Sequence, residues 1–250
     1  QVLPLNNPLR TAEEAATVDH LSNGRFEFGV GRSGLPGAYE GYNIPYVESK
    51  ERFHESLDII TQAWTNDRFS YSGRYFTIED VCLVPKPKQR PHPKIRVATN
   101  TPETFEAMGN MGYPIFIGLR LRGMTEVSGY VEDYRRSWVA AGHSSDTDVS
   151  LRIPVYVSDD DESAFEQCRE SFMHQFRKLS GSITQSAVTV GVDHVEDRLQ
   201  RGQHLAAISW ENALKEKVAV GSPERVIDRL FEIKDMLKLN GIAAEFNAGE

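Results

Sequence analysis

Apolar positions recur along the chain in two alternating rhythms, one with a period of about two and one of about 3.6. Val2-Leu3-Pro4-Leu5 reads as a short strand, broken by Asn6-Asn7-Pro8. A helix is expected from Thr11, with Glu14 completing a capping box, Ala12, Ala15, Ala16, Val18 and Leu21 on its inner face, and Ser22-Asn23-Gly24 stopping it. Phe26, Phe28 and Val30 then alternate through residues 24–32, which predicts one short buried strand running out into glycine and arginine. Residues 35–45 are rich in Gly, Pro and Tyr and read as a loop that no helix occupies. Phe53, Leu57, Ile60 and Trp64 fall at spacings of 4, 3 and 4 and predict a helix over 49–64.

Residues 66–94 interrupt this alternation. Residues 69–78 read as a hairpin turning near Gly73, 81–84 as a further extended piece, and Pro85, Pro87, Pro91 and Pro93 keep the chain open after it. Strands are expected again at 95–99, 115–119, 150–157 and 242–246, the last followed by Asn247-Ala248-Gly249. Between them lie helices over 102–111, around Val127, Val131, Tyr134 and Trp138, and from Asp159–Glu162 through Ala164, Phe165, Cys168, Phe172, Phe176 and Leu179. A further helix is expected to be capped by Ser222 with Pro223 in its first turn, and to carry Val226, Leu230, Ile233 and Leu237 inward. Residues 181–220 are polar and weakly periodic, with a short helix around 195–199, and are expected to be a mobile lid.

Six strands, five of them followed by helices, imply a parallel sheet in an α/β fold. Six units do not close an eight-stranded ring. The chain opens inside an apolar strand and closes without a final helix, so the expectation is a single TIM (β/α)8 barrel domain over 1–250, with an insertion at 66–94 and its first strands and last helix absent.

Composition narrows the function. A net charge of −8 argues against nucleic acid or an anionic membrane as the partner. No apolar run approaches the roughly 20 residues a membrane helix requires. Two cysteines far apart in sequence form no metal-type pair and suit a cytoplasmic protein. The seven histidines show no metal spacing, and no serine sits in a nucleophile elbow. Asp159-Asp160-Asp161-Glu162 is read as compensation of a helix dipole.

Gly29, Gly31 and Gly34 spell G-x-G-x-x-G after a strand, but the stretch that follows cannot open the helix a dinucleotide fingerprint needs, and that reading is rejected. Barrel chemistry sits at the carboxyl ends of strands. There the chain places Gly31 and Arg32 after one strand and Asn100-Thr101-Pro102-Glu103-Thr104 after the next. Thr101 and Thr104 at a helix start offer hydroxyls beside free N–H groups, a suitable seat for phosphate, although an ordinary helix cap explains them better when they are taken alone. Arg32 alone reads as a solvated cation; the pairing of both features at one rim points to an anionic ligand. Lys50 and Arg52 can add positive charge there.

Asn7-Pro8-Leu9-Arg10, the run from Asp19 to Arg32, and Gly221-Ser222-Pro223-Glu224 resemble the bacterial luciferase-like flavin monooxygenases. Tyr71-Ser72-Gly73-Arg74-Tyr75-Phe76, with Pro85-Lys86-Pro87 and Gln89-Arg90-Pro91-His92-Pro93, looks like that family's insertion segment. The resemblance covers nearly the whole chain, in order. It implies a TIM barrel that uses reduced FMN and O2, through a peroxyflavin, to oxidise a small organic substrate. By the resemblance Arg32 grips the FMN phosphate, Lys50 or Arg52 is the second basic residue, and Thr101 and Thr104 are the hydroxyls of the phosphate-binding helix. Asn100 stands where luciferase has glutamate, Gly31 where it has cysteine beside the flavin ring, and Leu119 where it has tryptophan at the flavin rim. The last two departures argue against light emission from a long-chain aldehyde. The family's active-site histidine lies on an early strand outside this sequence, so the resemblance names no catalytic base. It further implies a separate flavin reductase as supplier and pairing into a homodimer through early helices. F420-dependent hydride transfer on the same fold is the alternative, and a non-catalytic flavin-binding barrel the contrast.

Overall fold

The computed structural model describes residues 1–246, so Asn247-Ala248-Gly249 lie outside the described residues. The described residues form two compact units, one of residues 1–98 with 189–192 and one of residues 99–188 with 193–246.

In the first unit, the expected strand at 2–5 reduces to one parallel bridge between Val2 and Gly31, because Leu3–Leu5 coil into a 3-10 turn and Pro4 has no N–H for a ladder. Helix α1 (Pro8–Leu21) begins a turn before Thr11. Asn7 is its cap, accepting from the N–H of Leu9 at 3.0 Å and Arg10 at 3.1 Å, with Pro8 where no donor is required. Ala12, Ala15 and Ala16 are buried as expected, but Val18 and Leu21 are exposed, so the inner face is narrower than the pattern suggests.

Strand β1 (Glu27–Val30) is the centre of the alternating stretch, with Phe28 and Val30 buried. The following segment is not helix-free. Gly37–Glu40 forms a one-turn helix, α2, begun by Pro36, and a 3-10 turn follows at Tyr46–Glu48. Proline's fixed φ suits a helix start, and each turn buries one tyrosine, Tyr39 and Tyr46, whose rings meet edge-on at 5.1 Å. No long helix opens at Gly34, which agrees with rejecting the dinucleotide fingerprint.

Helix α3 (Ser49–Thr65) buries Phe53, Leu57, Ile60 and Trp64, and the Trp64 indole donates to the Ala12 carbonyl at 3.0 Å, tying α3 to α1. Strands β2 (Phe69–Ser72) and β3 (Thr77–Val81) form the expected antiparallel hairpin. The extended piece at 81–84 is not a separate strand: β3 ends at Val81, Leu83 is buried and Val84 is exposed. The proline-rich run is anchored by Asp19, fully buried in α1, which accepts from the Gln89 backbone at 2.8 Å and its amide at 2.7 Å. Strand β4 (Lys94–Ala98) pairs in parallel with β1, Phe28 opposite Ile95.

The second unit runs through α4 (Pro102–Met111), β5 (Ile115–Gly118), α5 (Met124–Ala140), β6 (Val149–Val157), α6 (Asp161–Ser186), α7 (Val195–Ala206), α8 (Trp210–Glu216), β7 (Ala219–Gly221), α9 (Pro223–Leu237) and β8 (Gly241–Glu245). Strand β6 is its hub. Residues 149–152 pair in parallel with β5, 150–154 with β8 and 155–157 with β7. Val127, Val131, Tyr134 and Trp138 of α5 are buried, as are Val226, Ile233 and Leu237 of α9.

Helix α6 is capped by Asp160, not Asp159: its carboxylate accepts from the Ser163 N–H at 2.8 Å. Asp161 accepts from the Ser222 N–H at 2.7 Å, joining the starts of α6 and α9. Residues 181–220 are chiefly helical rather than a loop, with the tail of α6, all of α7 and α8, and β7. The polar composition hides these helices, since α7 has few apolar residues and buries only Gly202 and Leu205. Gly202 lets α7 approach α6 closely, and the Ser180 hydroxyl donates to the Gly202 carbonyl at 2.7 Å. No helix among the described residues is long and apolar enough to cross a membrane.

Candidate functional site

Arg32 follows β1 and is held on three sides within the first unit. Its guanidinium donates to the Ser49 hydroxyl at 2.9 Å, it lies 5.3 Å from the centre of the Tyr46 ring, and the Tyr39 hydroxyl donates to its carbonyl. Ser49 is buried at the first position of α3. No carboxylate pairs with Arg32 among the described residues. A half-buried cation fixed by neutral groups keeps its charge available to an anion.

The surroundings respond to that charge. Burial pushes the Tyr39 hydroxyl up to about 12, against the opposing pull of Arg32. His54 is pushed below the ordinary histidine range by burial and by the positive charges of Lys50 and Arg32, with Asp58 opposing. Lys50 is exposed and makes no ion pair among the described residues. Arg52 is already engaged, donating to Glu48 at 2.8 Å and lying 4.3 Å over the Tyr75 ring. Of the two expected second cations, Lys50 is therefore the free one. Gly31 is buried, and a Cβ there would stand 3.1 Å from that of Ala98, so any side chain presses on β4.

In the second unit, Thr101 precedes α4 but its side chain does not cap the helix. Its hydroxyl lies 2.8 Å from that of Thr104, and the Thr104 N–H donates to the Thr101 carbonyl at 2.9 Å. The helix start thus carries a pair of hydroxyls bonded to each other and, like the starts of α2, α3, α5 and α7, no side-chain cap. Glu103 in the same turn stands 3.3 Å from His194. Asn100 is exposed, whereas Leu119 is buried rather than open at a rim.

Several residues were not legible as site candidates. Tyr39, Tyr46 and Ser49 brace Arg32, and the tyrosines of the Gly/Pro-rich stretch were the available signal. In the second unit Arg120 and Arg152 both donate to Glu245. Arg152 is the exposed residue in an otherwise buried run of β6, which was a visible break in the pattern. A cavity of about 880 Å³ is lined by Arg122, Glu126, Asp197, Arg201 and Glu216, among others. Its charges are matched: Arg122 bonds Glu126 and Asp197, Arg201 bonds Asp197, and buried Lys217 faces Glu216 at 3.7 Å while donating to the Arg122 carbonyl at 2.7 Å. No group of histidine, cysteine and acidic side chains among the described residues is arranged to hold a metal.

A family model described as luciferase-like monooxygenase matches residues 1–237. The chain is 28% identical over 162 residues to the FMNH2-dependent dimethylsulfone monooxygenase of Pseudomonas putida, covering 63% of this chain and 43% of that protein. It is 29% identical over 168 residues to the F420-dependent glucose-6-phosphate dehydrogenase of Amycolatopsis mediterranei, covering 65% of this chain and 50% of that one. The matches thus span half or less of the length of these two relatives. Among solved structures, monooxygenase RslO1 from Streptomyces bottropensis aligns with a TM-score of 0.77 over 97% of this chain and 68% of that chain, at 23% identity. That likeness shows the fold, and the α/β class of TIM-barrel type read from the strand and helix alternation stands.

Proposed function

The chain belongs to the luciferase-like monooxygenase family, and from that premise we propose that it is an FMN-dependent monooxygenase, using reduced FMN and O2 to oxidise a small organic substrate. The single observation that supports the cofactor is Arg32, a half-buried cation braced by Ser49, Tyr39 and Tyr46 and left without a carboxylate among the described residues. An unneutralised, preorganised guanidinium suits a phosphate monoester. The uncapped start of α4, with its two hydroxyls, fits the same chemistry.

In this reading Arg32 and Lys50 supply charge to the flavin phosphate. Gly31 leaves room for the ring system by having no side chain. Bound reduced flavin supplies the electrons that activate O2. The protein's own part is to hold and orient it and to exclude water, and the largely helical segment 181–220 is assigned to covering the substrate. A flavin reductase supplies the reduced cofactor, and the working form is a homodimer. The free thiols of Cys82 and Cys168 suit the cytoplasm.

The second reading, hydride transfer with F420, is favoured by the F420-dependent relative. Isotope labelling separates the two. With a reductase regenerating reduced FMN under labelled O2, a substrate panel is expected to yield product carrying one labelled oxygen atom. Substrate oxidation without label, driven by F420 alone, would replace the monooxygenase with a dehydrogenase.

A further inference from the structure

We propose that Arg120 and Arg152 form a subsite for the anionic group of the substrate, which makes that substrate a small organic carboxylate or sulfonate. The proposal rests on the enzyme reading above and adds the substrate class to it.

Leu151 and Ile153 are fully buried on one face of β6, and strand alternation turns Arg152 to the other. Its register partners there are Gly118 of β5 and Ala243 of β8. Both are small, and a Cβ added at Gly118 would come no nearer to anything than 3.9 Å, so there is room beside the guanidinium. Arg120 lies two positions beyond Gly118 and reaches the same carboxylate, Glu245, whose strand position faces Pro154.

The charges do not balance. Two guanidinium groups share one carboxylate, their single acidic partner among the described residues. Each guanidinium has five N–H donors, and one nitrogen of each is engaged by Glu245. The side chains of Glu245 and Arg120 are only 12% and 26% exposed, while that of Arg152 is 50% exposed. Glu245 therefore braces the pair from within, and Arg152 presents an open fork to solvent. This surplus of positive charge stands in a chain whose net charge is −8, so it is a local feature and not a general basic surface. Burial raises the Glu245 carboxyl, but the hydrogen bonds from Arg120 and Arg152 outweigh it and hold the group below the ordinary glutamate range, so it stays an anion near neutrality. The matched network around Arg122 offers no such surplus. Planar bidentate recognition of a carboxylate or sulfonate is what arginine forks do best.

The test compares propionate with its uncharged isostere propionamide by ligand-observed NMR on the whole protein, with and without FMN, alongside an FMN titration. The wild-type protein is expected to bind propionate at least tenfold more tightly than propionamide. Arg152→Gln and Arg120→Gln should each remove most of that preference and leave FMN affinity within twofold. Glu245→Gln frees both arginines and should strengthen propionate binding severalfold, a gain that misfolding cannot imitate. Equal binding of the two probes, loss of propionate affinity in Glu245→Gln, or a fall in FMN affinity in the arginine variants would overturn the subsite. Failure of the wild-type protein to bind FMN would instead count against the cofactor reading, while the ratio between probes would still judge the subsite.

Discussion

Arg32 shows how a single side chain is made ready for an anion. Its guanidinium is fixed by a hydroxyl and an aromatic face, not by an acid, so its charge is not cancelled before a ligand arrives. Arg32→Ala should weaken FMN binding by about 1.5–3 kcal/mol, the range for a charge-assisted contact, and an equilibrium titration followed by flavin fluorescence measures it. Arg32 itself was legible from a strand that ends in glycine and a cation. Its bracing was not, because Tyr39 sits in one helical turn formed by a Pro/Gly-rich run whose propensities argue for a loop. The Arg152–Glu245 contact was hidden for another reason. Arg152 interrupts an apolar strand visibly, but its partner lies 93 positions away and is brought to it only by the pairing of β6 with β8.

At the level of elements, some helix starts are capped by a side chain and others, α4 among them with α2, α3, α5 and α7, are not. Asn7 and Ser222 accept backbone N–H bonds, whereas the Thr101 side chain makes no cap bond. Asn7→Ala should cost about 1 kcal/mol in urea unfolding, while Thr101→Val should leave the midpoint nearly unchanged and lower FMN affinity. A Thr101→Val midpoint shift as large as that of Asn7→Ala would return α4 to an ordinary capped helix. Asp19 ties α1 to the proline-rich run, and Asp19→Ala strands the Gln89 donors in a buried setting. A loss of about 2–3 kcal/mol is expected by the same unfolding assay.

The link between α6 and α9 predicts a pH effect. The Ser222 N–H holds the Asp161 carboxyl below its ordinary value, desolvation opposes this, and Arg225 assists. A carboxyl depressed in the folded state binds fewer protons there than when unfolded, so its contribution is present above its unfolded value near 3.8 and is lost as pH falls further. The urea midpoint should drop less steeply between pH 5 and about 3 in Asp161→Asn than in the wild-type protein. The elements themselves were largely legible where apolar spacing was strong, as in α3, α5 and β6. They were not legible across 181–220, where α7 offers only Val195, Leu199 and Leu205 as large apolar residues among its twelve.

On the scale of the molecule, an acidic chain holds Arg32 and Lys50 in one unit and the Arg120–Arg152 pair in the other. The family match over residues 1–237 places the chain among the luciferase-like monooxygenases, and in the reading proposed above Arg32 weighs toward a cofactor that ends in a phosphate monoester, as FMN does. The most direct test of that claim is a fluorescence titration of the apo-protein with FMN and, in parallel, with F420, repeated on Arg32→Ala. Preferential FMN binding that weakens by about 1.5–3 kcal/mol in the variant is the predicted result. Preference for F420, or FMN affinity unchanged in Arg32→Ala, would contradict it.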